Sequence, residues 1–407
     1  MKIKTSFKTI IFFGLILAFS CSQDPIFFTI SEETAPLKAR IPASPTNMVE
    51  FKREYTVSSS TKTVHIMYVA SGSLHWYAKD KYGDGSPGWD SKEYDISQPG
   101  GRVISLAASS NHLYALCVTG SGKNTELKRI GKSTTDTWKK ISIDGSDNIQ
   151  SIYYAGNGTN GYLFAGAMNA DGSEFGIYYL DDANEKLIKI KSATGFLTGA
   201  AASSSDYYLC TVEGGKNKGG IFKGSMTPTP VTLTDVTDKN GGNKNRSFMG
   251  MIKLEDNSII AVERDGGTLF KVNNSEFETT NLATGKYATG ALAVWHETST
   301  DKGKVLAAGI QGGLVSSLTA SNFTHGYVEF DLDASGSLTT GPHSPPTITV
   351  DGLTERYTAT IGKHPVNRMY QTSDDIDSNL IFFASTQTAG LWSYRIRDGE
   401  PQWNAEE

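Results

Sequence analysis

The sequence predicts an all-β fold: a β-propeller of seven four-stranded blades, carried behind a signal peptide and an extended tether. Three observations predict it. A four-residue window with apolar ends recurs along most of the chain. Short strands follow each copy at similar offsets, separated by Gly-containing turns. The composition, with 42 Gly and 18 Tyr in 407 residues, suits short strands and tight turns, and no long helical period occurs anywhere.

The recurring window is Val103-Ile-Ser-Leu106, Ile149-Gln-Ser-Ile152, Leu197-Thr-Gly-Ala200 and Phe248-Met-Gly-Met251. Looser copies are Thr289-Gly-Ala-Leu292, Val366-Asn-Arg-Met369 and, first in the chain, Met48-Val-Glu-Phe51. Small third residues in the central copies fit innermost strands, which converge on an axis where bulk clashes. A second, more continuous apolar strand follows each window, as in His65–Ala70, Leu113–Leu116, Tyr162–Ala165, Tyr207–Cys210, Ile259–Val262, Val305–Ala308 and Leu380–Ala384. A third comes after a turn, as in Ser73–Ala78, Glu126–Ile130, Gly176–Leu180, Gly220–Lys223, Thr268–Val272 and Leu391–Tyr394. A more polar fourth closes most units, as in Trp138–Ser142 and Lys186–Ile190. Units spaced by roughly 40 to 55 residues with four strands each are the mark of propeller blades. One such sheet cannot bury both faces alone, but a ring of them can. The sixth unit is long, with an insertion around Ser316–His325 and a Pro-rich stretch at Pro342–Pro346, and Thr347–Val350 is its expected fourth strand. A count of six or eight blades stays open. The first and last units are expected side by side, with Trp403 packed on the third strand of its own blade.

The first segment has a different logic. Lys2, Lys4 and Lys8 precede the apolar run Thr9–Phe19, and Ser20-Cys21 precede the polar Ser22-Gln-Asp24. This is the charged, apolar and small-residue order of a secretory signal, and the run is shorter than the roughly 20 residues of a spanning helix. A signal ending on Cys21, with Leu17 and Ala18 just before, resembles a bacterial lipobox, relaxed by the bulky Phe19. The thiol takes a diacylglycerol and the new amino terminus a further acyl chain of the palmitate type, and two or more chains anchor stably where one does not. Residues 1–20 are thus read as the signal peptide, 21–46 as a tether carrying lipidated Cys21 with Pro25, Pro36, Pro42 and Pro45, and 47–407 as the propeller domain. The location that follows is the cell envelope, lipid-anchored to an inner or outer membrane.

Pro42-Ala-Ser-Pro-Thr-Asn-Met-Val49, Met67-Tyr-Val-Ala-Ser-Gly-Ser-Leu74 and Val103-Ile-Ser-Leu-Ala-Ala108 together resemble treponemal (spirochaetal) lipoproteins that carry a propeller behind a relaxed lipobox. The likeness spans nearly the whole chain and rests on structural motifs. It implies an envelope location and brings no chemistry with it.

Chemistry-bearing patterns are sparse. With 38 basic and 43 acidic residues the net charge is −5, which offers no basic footprint for nucleic acid. Besides Cys21, Cys117 and Cys210 each end a buried strand in non-adjacent units and are expected as free thiols. Asp331-Leu-Asp-Ala-Ser-Gly336 opens like a calcium loop, but its twelfth position is Pro342 and not a bidentate carboxylate, so it reads as a turn. Ser133–Trp138 faintly resembles the Asp-box turn of sialidases and reads the same way. His65, His75, His112, His296, His325, His343 and His364 show no zinc-helix spacing. The Gly- and Lys-rich segments 214–220 and 238–246 read as solvated loops. Trp76, Trp89, Trp295, Trp392 and Trp403 offer contact surface for carbohydrate or protein, with inter-blade packing as their default role. No catalytic residue, cofactor or metal is expected. The function predicted is a non-enzymatic scaffold for a protein or glycan partner. The alternatives are a glycan-active hydrolase or lyase with its site in the central funnel, where Glu50 and Arg368 are the charged residues of the inner windows, and an outer-membrane assembly factor.

Overall fold

The computed structural model describes residues 41, 44–57, 59–79, 88–90, 92–94, 96–120, 124–145, 147–157, 160–193, 195–213, 219–226, 232–237, 246–264, 268–272, 277–281, 286–296, 298–300, 302–312, 325–339, 341, 361, 364–377, 380–387, 389–397 and 400–406. The signal peptide, Cys21, most of the tether, the 316–324 insertion and the strand expected at Thr347–Val350 lie outside the described residues.

Among the described residues, seven consecutive groups of strands form the blades. Blade 1 holds β1 (Asn47–Val57), β2 (Ser60–Ser71), β3 (Ser73–Ala78) and β4 (Gly88–Trp89). Blade 2 holds β5 (Arg102–Ala108), β6 (Leu113–Thr119), β7 (Asn124–Ile130) and β8 (Lys139–Ile143). Blade 3 holds β9 (Asn148–Gly156), β10 (Gly161–Met168), β11 (Phe175–Asp181) and β12 (Lys186–Ala193). Blade 4 holds β13 (Gly195–Ala202), β14 (Asp206–Glu213), β15 (Gly220–Ser225) and β16 (Thr234–Asp235). Blade 5 holds β17 (Phe248–Lys253), β18 (Ile259–Glu263), β19 (Thr268–Val272) and β20 (Phe277–Asn281). Blade 6 shows β21 (Lys286–Trp295), β22 (Val305–Gly312) and β23 (His325–Asp331), and blade 7 holds β24 (Val366–Gln371), β25 (Phe382–Thr386), β26 (Leu391–Arg397) and β27 (Glu400–Ala405). Within each blade the strands pair in chain order, antiparallel. The expected seven blades are therefore present, and every recurring window falls on a first strand. The second strand of blade 7 starts later than expected, at Phe382, because Leu380 sits in a turn with φ 50° and bonds back to Asp377.

Burial explains why the second strands read as unbroken apolar runs. A strand in mid-blade has a neighbouring blade on each face. Val64 is buried, as are Ile66–Ser71 of β2, Leu113–Cys117 of β6 and Tyr207–Thr211 of β14. The clusters that bury them straddle adjacent blades. One joins Phe164, Ile177 and Tyr179 to Leu197, Tyr207 and Phe222, with the Phe164 and Tyr207 rings 4.9 Å apart.

The window also marks a feature that the apolar pattern did not announce. In blades 2, 3, 4, 5 and 7 its second residue, Ile104, Gln150, Thr198, Met249 or Asn367, has no partner on the second strand. The register shifts there, as a bulge requires. In blade 6 the irregularity spans residues 289–291. Blade 1 alone pairs regularly from Asn47 to Val57. Around the bulges, side chains of one inner strand donate to carbonyls of the next. Ser151 Oγ donates to Leu197 O (2.7 Å), Thr198 Oγ1 to Phe248 O (2.6 Å) and Thr289 Oγ1 to Val366 O (2.5 Å). Asn47 Nδ2 does the same to Leu106 O (2.7 Å).

The ring closes between blades 1 and 7, since β24 contacts β1. Blade 1 comes from the start of the described chain and blade 7 from its end, so among the described residues no strand is exchanged across the seam. A core of Met48, Met67, Val69 and Tyr77 against Ile376, Ile381, Phe383 and Leu391 fills it. Trp89 Nε1 donates to Glu406 Oε2 (2.8 Å) and Ser385 Oγ to Pro45 O (2.7 Å). Trp403 pairs opposite Tyr394 of β26, ring centroids 5.4 Å apart, as expected. Pro401, which lacks an N–H donor, sits in the outer strand where such a gap is tolerated.

Candidate functional site

Two concave places compete, and the axis comes first. All seven inner strands line a channel cavity of about 330 Å³, through residues such as Val49, Leu106, Ile152, Ala200, Met251 and Leu292. Its charged lining among the described residues is Glu50 and Arg368, the pair that the inner windows predicted. Both are tied into the ring. Arg368 Nε donates to Thr46 O (2.8 Å) and Nη1 to Asn367 O (2.8 Å). Glu50 accepts from Ser373 Oγ (2.7 Å) and Tyr370 Oη (3.2 Å), and its Oε1 lies 2.8 Å from His65 Nδ1. His65 Nδ1 is also 3.0 Å from Asp375 Oδ2. This network bridges blades 1 and 7. Burial, with the Glu50 charge adding to it, holds the Tyr370 hydroxyl well above its ordinary range. The arrangement closes a seam; it does not aim an acid and a base at a common point.

The second place lies off the axis, between blades 6 and 7, and is the candidate site. Its cavity is about 880 Å³, within the range of small-ligand pockets. Strand alternation builds it. On β23, Val328 and Phe330 face blade 5, so Tyr327, Glu329 and Asp331 line the opposite side, facing blade 7. Opposite them stand Phe382 of β25, Tyr394 of β26 and Trp403 of β27, with Trp295 from the end of β21. The rings touch in series. Trp403 lies 5.4 Å from Tyr394, 6.0 Å from Tyr327 and 6.2 Å from Phe382, and Tyr394 lies 6.4 Å from Trp295.

Electrostatics single out Glu329. Burial pushes its carboxyl up to about 7, against a hydrogen bond from Tyr327, and the neighbouring Asp331 charge raises it further. Burial likewise raises the Tyr394 hydroxyl to about 12, with the charge of Glu329 adding to the shift. Asp333, at the mouth, is held low by Ser335 and Ser337. Lys302 and Lys304 are exposed. The sequence reading named Trp295 and Trp403 as contact aromatics and did not single out Glu329. The usable signal was the stripe Tyr327, Glu329, Asp331. The equivalent face of β11 carries Phe175, Ile177 and Tyr179, packed on blade 4. Carboxylates in place of such side chains leave space between blades unfilled.

The remaining expectations sort as follows. Trp76 is buried and Trp89 lies in the seam against Tyr77 (5.0 Å) and Phe383 (5.9 Å), so neither is open contact surface. Cys117 and Cys210 are free and buried, in blades 2 and 4, and burial pushes their thiols to about 11 and about 12. Such thiols are inert while folded. Thiol labelling by a maleimide in native buffer should leave both untouched, and denaturant should expose both together; labelling of either in the native state would contradict this burial. Asp333 Oδ1 accepts from Ser335 N (2.8 Å), Ser335 Oγ (2.6 Å) and Ser337 N (3.0 Å), a turn that uses the carboxylate of the calcium-like segment internally. Asp136 Oδ2 accepts from Ser133 N (2.9 Å) in a similar turn, and Trp138 Nε1 reaches Ser97 O (2.6 Å). His75 bonds Asp90 at 2.8 Å. Among the described residues no group of three or more His, Cys, Asp or Glu has metal-holding geometry. Cys21 lies outside the described residues.

No known family matches the sequence, and no curated protein does. Solved structures do. The chain is similar to YCF48 from Cyanidioschyzon merolae, at 12% identity over 88% of this chain and 97% of that one, with a TM-score of 0.48. It is similar to YCF48 bound to D1 peptide, at 13% identity over 88% and 95%, TM-score 0.47. It is also similar to the Dos1 propeller, at 8% identity over 86% and 77%, TM-score 0.47. The β-propeller fold of this chain stands on its own strand order and closed ring.

Proposed function

We propose that this chain is an exported envelope lipoprotein, anchored through Cys21, whose propeller works as a non-enzymatic binding scaffold. The observation that carries the binding role is the cleft between blades 6 and 7, a cavity of about 880 Å³ walled by aromatic side chains. Tyr and Trp present large rigid contact area at little entropic loss. The anchoring half rests on the order of Lys2, Lys4, Lys8, the apolar run and Cys21, which resembles a relaxed bacterial lipobox. A glycosidase in the funnel would need two carboxylates across the axis; among the described lining residues the one present is Glu50, engaged with Ser373 and Tyr370.

Detergent phase separation tests the anchor. The wild type should partition into detergent with acyl mass on its mature amino terminus, and Cys21→Ala should move it to the aqueous phase. A wild type that stays in water without acyl mass sinks the anchoring reading. Crosslinking in intact cells followed by purification tests the scaffold. A discrete partner crosslinked near blades 6 and 7 is expected. Glycan turnover abolished by one funnel substitution would replace the scaffold with an enzyme.

A further inference from the structure

We propose that the cleft between blades 6 and 7 binds a small organic cation, a quaternary ammonium or protonated amine, held between Glu329 and the rings of Trp295, Tyr394 and Trp403. The proposal deepens the scaffold reading and rests on it. Four observations converge. The rings form a continuous wall, each centroid within 6.4 Å of a neighbour, and aromatic faces attract cations most strongly where water is excluded. The half-buried charges of the lining are Glu329 and Asp331, while the two lysines that also line the cavity, Lys302 and Lys304, are exposed. Asp331, on the same face of β23, adds a second negative charge that repels the first. The volume of about 880 Å³ admits a ligand of this class with room for a substituent.

A neutral sugar could stack on the same rings. Beside a sugar the half-buried Glu329 carboxyl, already raised to about 7, would take up a proton and bring no charge to the complex. A cation holds it ionised and gains from both walls at once. The exposed charges of the lining are Asp333, fixed by Ser335 and Ser337, together with Lys302 and Lys304.

Calorimetric titration of the full chain decides the matter. The probes are tetramethylammonium, choline, the neutral carbon isostere of choline, and a neutral cello-oligosaccharide. Choline should bind saturably and about tenfold or more tighter than its isostere. Glu329→Gln preserves shape and removes the charge, and should weaken choline by about tenfold. Tyr394→Leu should weaken choline and tetramethylammonium alike. Melting curves confirm that each variant is folded, and Glu329→Gln keeps the test sharp if Tyr394→Leu is not. Equal binding of choline and its isostere overturns the proposal, as does an unchanged affinity in folded Glu329→Gln, or no saturation by either cation. Saturable oligosaccharide binding lost in Tyr394→Leu, without cation binding, overturns the cation and leaves the scaffold reading standing.

Discussion

Deleting residues from Gly390 onward should leave no soluble, cooperatively folded domain. The deletion removes β26 and β27, and with them Leu391 from the seam core and Trp392, Tyr394 and Trp403 from the core shared with blade 6. It also removes Glu406, which is buried, accepts from Ser393 Oγ and anchors Trp89 of blade 1. What remains of blade 7 is a pair, β24 and β25, in which Phe382 loses Trp403 and Phe383 loses Leu391 from its surroundings. A two-stranded remnant is marginal in water. An unfilled place in the ring also exposes the face of blade 1 that carries Met48, Met67 and Val69. Size-exclusion chromatography and a thermal melt check the result. A monomer as heat-stable as the full chain would mean that the blades stand without closure.

Gly250→Val should be nearly as damaging from a single side chain. A Cβ built on Gly250 lies 2.3 Å from Gly290 O and 3.1 Å from Gly290 Cα, all backbone of the neighbouring inner strand. Gly290 is itself held at φ 86°, where its own Cβ would meet Met249 O at 2.2 Å. The two glycines let the inner strands of blades 5 and 6 touch, and neither strand can yield without moving its blade. The expected loss is about 4 kcal/mol or more, the upper range for single substitutions. Gly88→Ala is the control, because a Cβ there meets nothing within 4 Å, and should change stability by less than about 1 kcal/mol. Chemical denaturation of the two variants side by side is the measurement. Equal midpoints would show that the inner strands are not packed as tightly as these distances imply.

The architecture was legible because its cause is local. A strand flanked by blades on both faces must be apolar at consecutive positions, and Ile66–Ala70 or Leu113–Cys117 say so without reference to anything distant. Small residues at the third place of the window likewise announced crowding, which Gly199 and Gly250 confirm: their absent Cβ atoms would strike Met251 N at 2.9 Å and Gly290 O at 2.3 Å. The bulges were not legible. Thr198 looks like any other polar strand residue until the partner strand shows that Leu197 and Gly199 oppose consecutive residues. Glu50 and Arg368 were correctly placed near the axis, but the partners of Glu50, Tyr370 and Ser373, come from the other end of the chain and depend on closure. The cleft failed to show for a similar reason. Glu329 is one carboxylate in an alternating strand, and its meaning depends on Tyr394 and Trp403, which only the packing of blade 7 on blade 6 brings opposite it.

The outer strands of blades 2 and 3 meet in parallel, Ser142 with Lys186 and Ile143 with Leu187, merging eight strands into one sheet. Ser142 N donates to Glu185 O and Asp144 N to Leu187 O, both at 3.2 Å, while Arg129 pairs with Asp182 and Glu185 across the same rim. Blades joined at their rims cannot fan apart as freely as blades joined only near the axis. The circle is therefore not seven equivalent leaves but one stiff double leaf with five single ones. Any widening of the ring must be taken up at the other joints.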